Sequence, residues 1–368
     1  MIDRRAVITS LALGLTGVLI GACSGSHHHD TTGAGKTVIE PWQSRFGRER
    51  PVIAVLALNS STELTDYVIP FGVLSAADVA DVTTVSIHPG PVTMRPALRT
   101  QAQMTAAEFD TRHPQGADYV IVPALQPRAD PATLDWIKDQ AAKGGSTVSI
   151  CNGAFTVAET GLMNGHQATS HWAGETTRRE KYPDVKWQNN IRYVADGRVI
   201  SSAGISASMP ISIALVAAIA GQERAEKTAA ALGITDWSQH HDSEWFVNQG
   251  PRMTRDDDDP GDPIGVRLEP GTDEIAFALT AEAYSHTRVS RAYAIAPTME
   301  PVRSLRGLTF LPERSTDDPQ LVRIVAPGAP GKLPTQALDT ALTDIQKSYG
   351  PEAAAASARI MEYPGYAP

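Results

Sequence analysis

Two side chains of this 368-residue chain have the type and setting to do nucleophilic chemistry. Cys151 stands in Ser149-Ile150-Cys151-Asn152-Gly153-Ala154-Phe155, where an apolar strand turns abruptly into a helix. A thiol on such a turn lies near the unpaired N–H groups of a helix start, and that local field favours the thiolate, the nucleophilic form of cysteine. The same position also suits a buried cysteine that behaves as a small hydrophobe. A nucleophile needs a proton partner, and an acyl-type reaction also needs donors for a developing oxyanion. Of the ten histidines, His171 in Ala168-Thr169-Ser170-His171-Trp172 follows the elbow by one short strand, which can return its imidazole to the same sheet edge.

The elements that would position these groups alternate in the manner of an α/β fold with a parallel sheet. Predicted strands run over 52–58, 82–87, 119–122 and 147–150, with helices over 61–80 and 131–143. Cys151 then falls at the carboxyl end of the fourth strand, the edge where open α/β sheets bind ligands. A short polar strand over 167–170 leads to His171. A hairpin pairs 190–194 with 198–201 around Ala195-Asp196-Gly197, and a very apolar helix follows over 208–220.

Composition narrows the function classes. The chain is 42% hydrophobic and 20% charged with a net charge of −9, enough apolar residue for a sizeable core and no clustered basic surface for nucleic acid. Arg4 and Arg5 precede an apolar run that ends in Ile20-Gly21-Ala22-Cys23, a pattern that reads as an export signal with a lipobox. Residues 1–23 are thus expected to be the signal, with Cys23 lipidated and the domain held outside the cytoplasm on a bacterial membrane. Cys151 would then be the only thiol of the mature chain. Residues 24–48, rich in Gly, Ser and Thr around His27-His28-His29, read as a flexible tether; no metal-ligand set or cofactor motif is expected.

The first domain is expected over 49–233 and a polar linker with Asp256–Asp259 over 234–270. Residues 271–335 read either as a partial repeat of the first α/β half or as an unrelated extension, and 336–368 as a C-terminal helix and tail. In the repeat reading, Glu274–Leu279 matches the opening strand, Arg303–Thr309 the neighbourhood of Arg95–Arg99, and Leu321–Val325 the third strand.

Four motifs in order give the stretch of about 51–233 a resemblance to a known family: Asp66-Tyr67-Val68-Ile69-Pro70, Ile150-Cys151-Asn152-Gly153-Ala154, Ala168-Thr169-Ser170-His171-Trp172 and Ser202-Ala203-Gly204-Ile205-Ser206-Ala207. It resembles the ThiJ/PfpI family of the class I glutamine amidotransferase-like superfamily, on the branch that includes isonitrile hydratases and the sensor domains of AraC-type regulators. The resemblance implies a flavodoxin-like three-layer sandwich with a nucleophile-elbow cysteine. It also implies an acid from the first helix beside the sulfur, which is Asp66 here, and pairing of copies as homodimers. Family members supply backbone N–H groups near the cysteine from a Gly-Gly pair where this chain has Ala124 and Leu125, and the hydratase has threonine where this chain has Asn152. The expected function is a cysteine-dependent hydratase or hydrolase acting on a small electrophile, with Cys151, Asp66 and His171 as its catalytic groups. The alternatives are a non-catalytic module that binds or senses a small molecule in the same pocket, and an electrophile or redox sensor built on the lone thiol.

Overall fold

The computed structural model describes residues 38–248, 261–364 and 366. The signal, Cys23, the His27–His29 tract and the Asp256–Asp259 run lie outside the described residues.

The opening strand Val52–Ala57 is buried along its whole length, because both faces are covered. Alternation divides its side chains between two cores: Ile53, Val55 and Ala57 join one, and Val52, Ala54 and Leu56 join the other. Seven strands form the sheet, in the order Tyr193–Asp196, Val199–Ser202, Ser146–Ser149, Tyr119–Val122, Val52–Ala57, Asp81–Ser86 and Met104–Thr105. All neighbours are parallel except the first two, a hairpin in which Asp196 pairs with Val199. Leu64–Ala77 and Ser208–Ala220 supply the first core, while Pro131–Ala142 and Gly153–Glu159 supply the second, giving the flavodoxin-like three-layer sandwich.

A second parallel sheet follows, in the order Arg314–Ser315, Ser290–Ala296, Asp262–Arg267 and Arg323–Val325. Its topology copies the first half. Ile264 pairs with Ala292 on one side and Arg323 on the other, as Ile53 pairs with Val82 and Tyr119. Each half also carries an antiparallel hairpin, and the two hairpins join where Thr309 and Phe310 pair with Gln101 and Thr100.

Glu274–Leu279 is not the opening strand of this half: it lies in the helix Glu274–Ser285. Asp273 caps that helix, its Oδ1 accepting from the N–H groups of Ile275 and Ala276 at 2.9 and 3.2 Å. Every residue of the helix is buried, so its apolar run has no amphipathic period to separate it from a strand. The true opening strand, Asp262–Arg267, contains Pro263 and Gly265 and falls in the stretch read as linker. The polar strand before His171 shrinks to Gln167–Ala168, and the first helix to Leu64–Ala77, closed by Asp78 in the left-handed region.

The helices Leu64–Ala77 and Glu274–Ser285 pack face to face. Contact is close at Gly72, where a Cβ would lie 2.6 Å from Cγ1 of Ile275. Among the described residues, no helix is long and apolar enough to cross a membrane.

Candidate active site

Cys151 sits two residues past the strand Ser146–Ser149 and adopts φ 57°, a left-handed conformation costly for a residue with a Cβ. The neighbouring backbone enforces it. Ile150 N–H donates to the Val122 carbonyl at 3.0 Å, and Cys151 N–H donates to that of Ala203 at 3.2 Å. Gly153 opens the helix against the next strand so tightly that a Cβ there would stand 2.1 Å from the Val122 oxygen. Ser170 Oγ donates to the Cys151 carbonyl at 2.9 Å, and to Asn152 Oδ1 at 3.3 Å.

The electrostatics reverse the expectation of a thiolate. The Asn152 N–H does hydrogen-bond the sulfur, as a helix start should provide. Cys151 is only 4% exposed, however, and burial pushes its thiol well up, with Asp66, Glu63 and Glu362 pushing the same way. One N–H at a two-turn helix cannot offset lost hydration and three neighbouring carboxyl groups. The resting group is the thiol.

Asp66 is fully buried, in the third position of the first helix. Its Oδ2 accepts from the Ala124 N–H at 3.1 Å, while its Oδ1 has no hydrogen-bond partner. Burial, then the charge of Glu63, raises this carboxyl well above the ordinary carboxylate range, so it too holds its proton. The Ala124 N–H expected to face the sulfur is therefore engaged by Asp66. Leu125 bridges to Thr62 and buries its side chain in the second core.

His171 reaches the same sheet edge, but neither ring nitrogen is free for Cys151. Nδ1 accepts from the Ala173 N–H at 3.0 Å, so Nε2 carries the proton and donates to the Ile360 carbonyl at 2.9 Å. Gly204 packs directly on the ring, where a Cβ would lie 1.9 Å from Cδ2. As the polar partner of the thiol expected from sequence, His171 has both ring nitrogens committed elsewhere.

Sequence reasoning missed two groups supplied by the C-terminal half. The first centres on Glu362, which is buried with φ 48°. Its carboxylate accepts from the N–H groups of Trp172 and Gly204, both at 2.7 Å, and from His241 Nε2 at 3.0 Å. Burial opposes ionisation, but His171 and His241 hold this carboxyl below its usual range. The second joins Glu63 to Glu282 and His286 of the helix Glu274–Ser285 and its C-cap. Burial alone would lower the His286 imidazolium; its two glutamates outweigh that and raise it to about 9. Glu282 is raised by burial to about 7, whereas Glu63 is held below its usual range by His286 and Arg95. The visible signal was the pair Glu282 and His286, four apart in an otherwise apolar run.

A mostly parallel sheet with a cysteine on a strained strand-to-helix turn and a protonated acid from the first helix defines a class of α/β domain. Residues 52–218 match the DJ-1/PfpI family. The chain is 30% identical over 102 residues to the isonitrile hydratase of Pseudomonas putida, covering 26% of this chain and 41% of that protein. It is 32% identical over 95 residues to the HTH-type transcriptional regulator CdhR of Pseudomonas aeruginosa, covering 26% of this chain and 28% of the regulator. It thus spans less than half the length of either relative. Among solved structures, DJ-1beta of Drosophila melanogaster aligns with a TM-score of 0.46 at 18% identity, over 51% of this chain and all of that one.

Proposed function

We propose that the chain adds a small, uncharged electrophile of the isonitrile type to Cys151, with Asp66 moving the proton. The observation that carries this reading is the Asp66 carboxyl: buried, protonated, anchored through one oxygen and unpartnered at the other, within electrostatic reach of a thiol held on a strained turn. Both reacting groups rest uncharged, and the surrounding carboxylates disfavour an anionic substrate.

The chemistry balances without a cofactor. The sulfur bonds to the terminal carbon of R–N≡C, the Asp66 proton goes to that carbon, and the carboxylate so formed takes the thiol proton, leaving a thioimidate. Water then adds to the same carbon, one of its protons passes through Asp66 to nitrogen, and the carbon–sulfur bond breaks as the proton of the added hydroxyl passes to sulfur. An N-substituted formamide leaves and the thiol is restored. Loss of the infrared N≡C band of an alkyl isonitrile, with intact-mass detection of the Cys151 adduct, tests the reading. Cys151→Ala should abolish turnover and Asp66→Asn reduce it about 100-fold or more. Turnover that survives in Cys151→Ala would overturn it.

A second reading, a binding or sensing module, is favoured by the commitment of both His171 nitrogens and the near-complete burial of Cys151. The regulator relative supports it. A ligand retained in native mass spectrometry without turnover would select this reading over the first.

The pattern from Arg4 to Cys23 supports export and lipid attachment. Metabolic labelling with a palmitate analogue in a bacterial host should mark the wild type and not Cys23→Ala; an unlabelled wild type would refute anchoring.

A further inference from the structure

We propose that Glu63, Glu282 and His286 form a binding site for one divalent transition-metal ion that joins the two α/β halves. One ligand comes from the start of the first helix, and two come from the end of the helix packed against it. Their three ligand atoms lie within 4.8 Å of one another.

Three observations point at a common centre. Glu282 Oε1 and Glu63 Oε1 stand 3.3 and 3.8 Å from His286 Nε2. Ligands held about 2.1 Å from one ion sit roughly 3 to 3.5 Å apart, so the two contacts with His286 are within a few tenths of an ångström of that spacing. The second oxygen of each carboxylate is anchored elsewhere. Glu63 Oε2 pairs with Arg95 at 3.2 Å, and Glu282 Oε2 accepts from the Thr65 N–H at 2.8 Å. Such outer partners fix ligand oxygens at metal sites. Finally, the Glu63 side chain is 7% exposed and its Oε1 has no hydrogen-bond partner. A buried acceptor left open is costly in a protein interior, and a cation would satisfy it.

The donor set selects the class of ion. One imidazole nitrogen and two carboxylate oxygens suit Zn²⁺, or Mn²⁺ and Fe²⁺, over Cu⁺ and over Ca²⁺, which prefers an all-oxygen shell. The two carboxylates also neutralise a divalent charge once the ion takes the place of the proton on His286 Nε2.

The test is equilibrium dialysis of the full chain against ZnCl₂ with metal quantified by mass spectrometry, in a background where His27, His28 and His29 are replaced by serine to remove the other histidine tract. One zinc per chain is expected, with ~tenfold or greater weakening in Glu282→Gln and in His286→Gln, and no change in Cys151→Ser. X-ray absorption should show nitrogen and oxygen neighbours without sulfur. Glu282→Gln preserves shape, and a circular dichroism melt confirms that each variant is folded. Absence of bound zinc, binding in either variant as tight as in the parent chain, or sulfur among the neighbours would overturn the proposal.

Discussion

Replacing His286 with glutamine removes one titration from the contact between the two halves, and stability against pH should report it directly. The His286 ring is 16% exposed and lies between Glu63 and Glu282. Its pKa rises from an ordinary 6.5 to about 9 in the folded chain because burial is outweighed by the two glutamates. At about 1.4 kcal/mol for each pH unit, that rise stabilises the fold by about 3 kcal/mol. The folded state binds this proton more tightly than the unfolded chain does. The stabilisation is therefore complete below pH 6.5 and disappears as pH climbs through 9. Glu282, raised from 4.5 to about 7, also loses stability with rising pH, but in the lower window from 4.5 to 7. Urea unfolding at pH 6.5 and pH 9.5, with a chelator present, separates the two. The wild type should lose about 3 kcal/mol more across that interval than His286→Gln does. An equal loss in both proteins would refute the argument that His286 is held as an imidazolium by Glu63 and Glu282.

Further expectations concern the elbow and the packing of the halves. Iodoacetamide should alkylate Cys151 more slowly than a free model thiol at neutral pH, and the rate should climb with pH, because burial and the nearby carboxyl groups hold the proton on sulfur. Glu63→Gln, which removes an ionised neighbour, should raise the neutral-pH rate; no change would show that Glu63 does not act on the sulfur. Gly153→Ala should lower stability by about 3 kcal/mol or more, since its Cβ would meet the backbone oxygens of Val122 and Pro123 at 2.1 and 2.7 Å. Gly72→Leu should cost about 1–3 kcal/mol by forcing the first helix off Ile275, and an unchanged melting temperature would show the contact to be loose.

The elements of the first half were legible because their signals are local. The continuous apolar run Val52–Ala57 is short and rich in β-branched residues, as a strand covered on both faces should be, and the abrupt change at Ile150-Cys151-Asn152-Gly153 marks an elbow where a parallel strand feeds a helix. The second half was harder to read for an equally physical cause. Its helix Glu274–Ser285 is buried on every side, which erases the 3.6-residue period, while its opening strand carries the proline and glycine that ordinarily argue against a strand. A register error of one element followed.

What the sequence determined by itself was the candidate nucleophile and the sheet edge that carries it, since each depends on chain order and short-range pattern, while Asp66 as its acidic neighbour followed from the family resemblance. Their protonation was decided only by tertiary structure. Cys151 and Asp66 lose hydration because layers distant in sequence close over them, and Glu63 and Glu362 reach them from a helix start and a C-terminal turn. Charge interactions and desolvation depend on distance and burial in space, which no spacing along the chain encodes. The same holds for Glu63 beside Glu282 and His286: more than two hundred positions apart in sequence, they meet because two similar halves pack helix against helix.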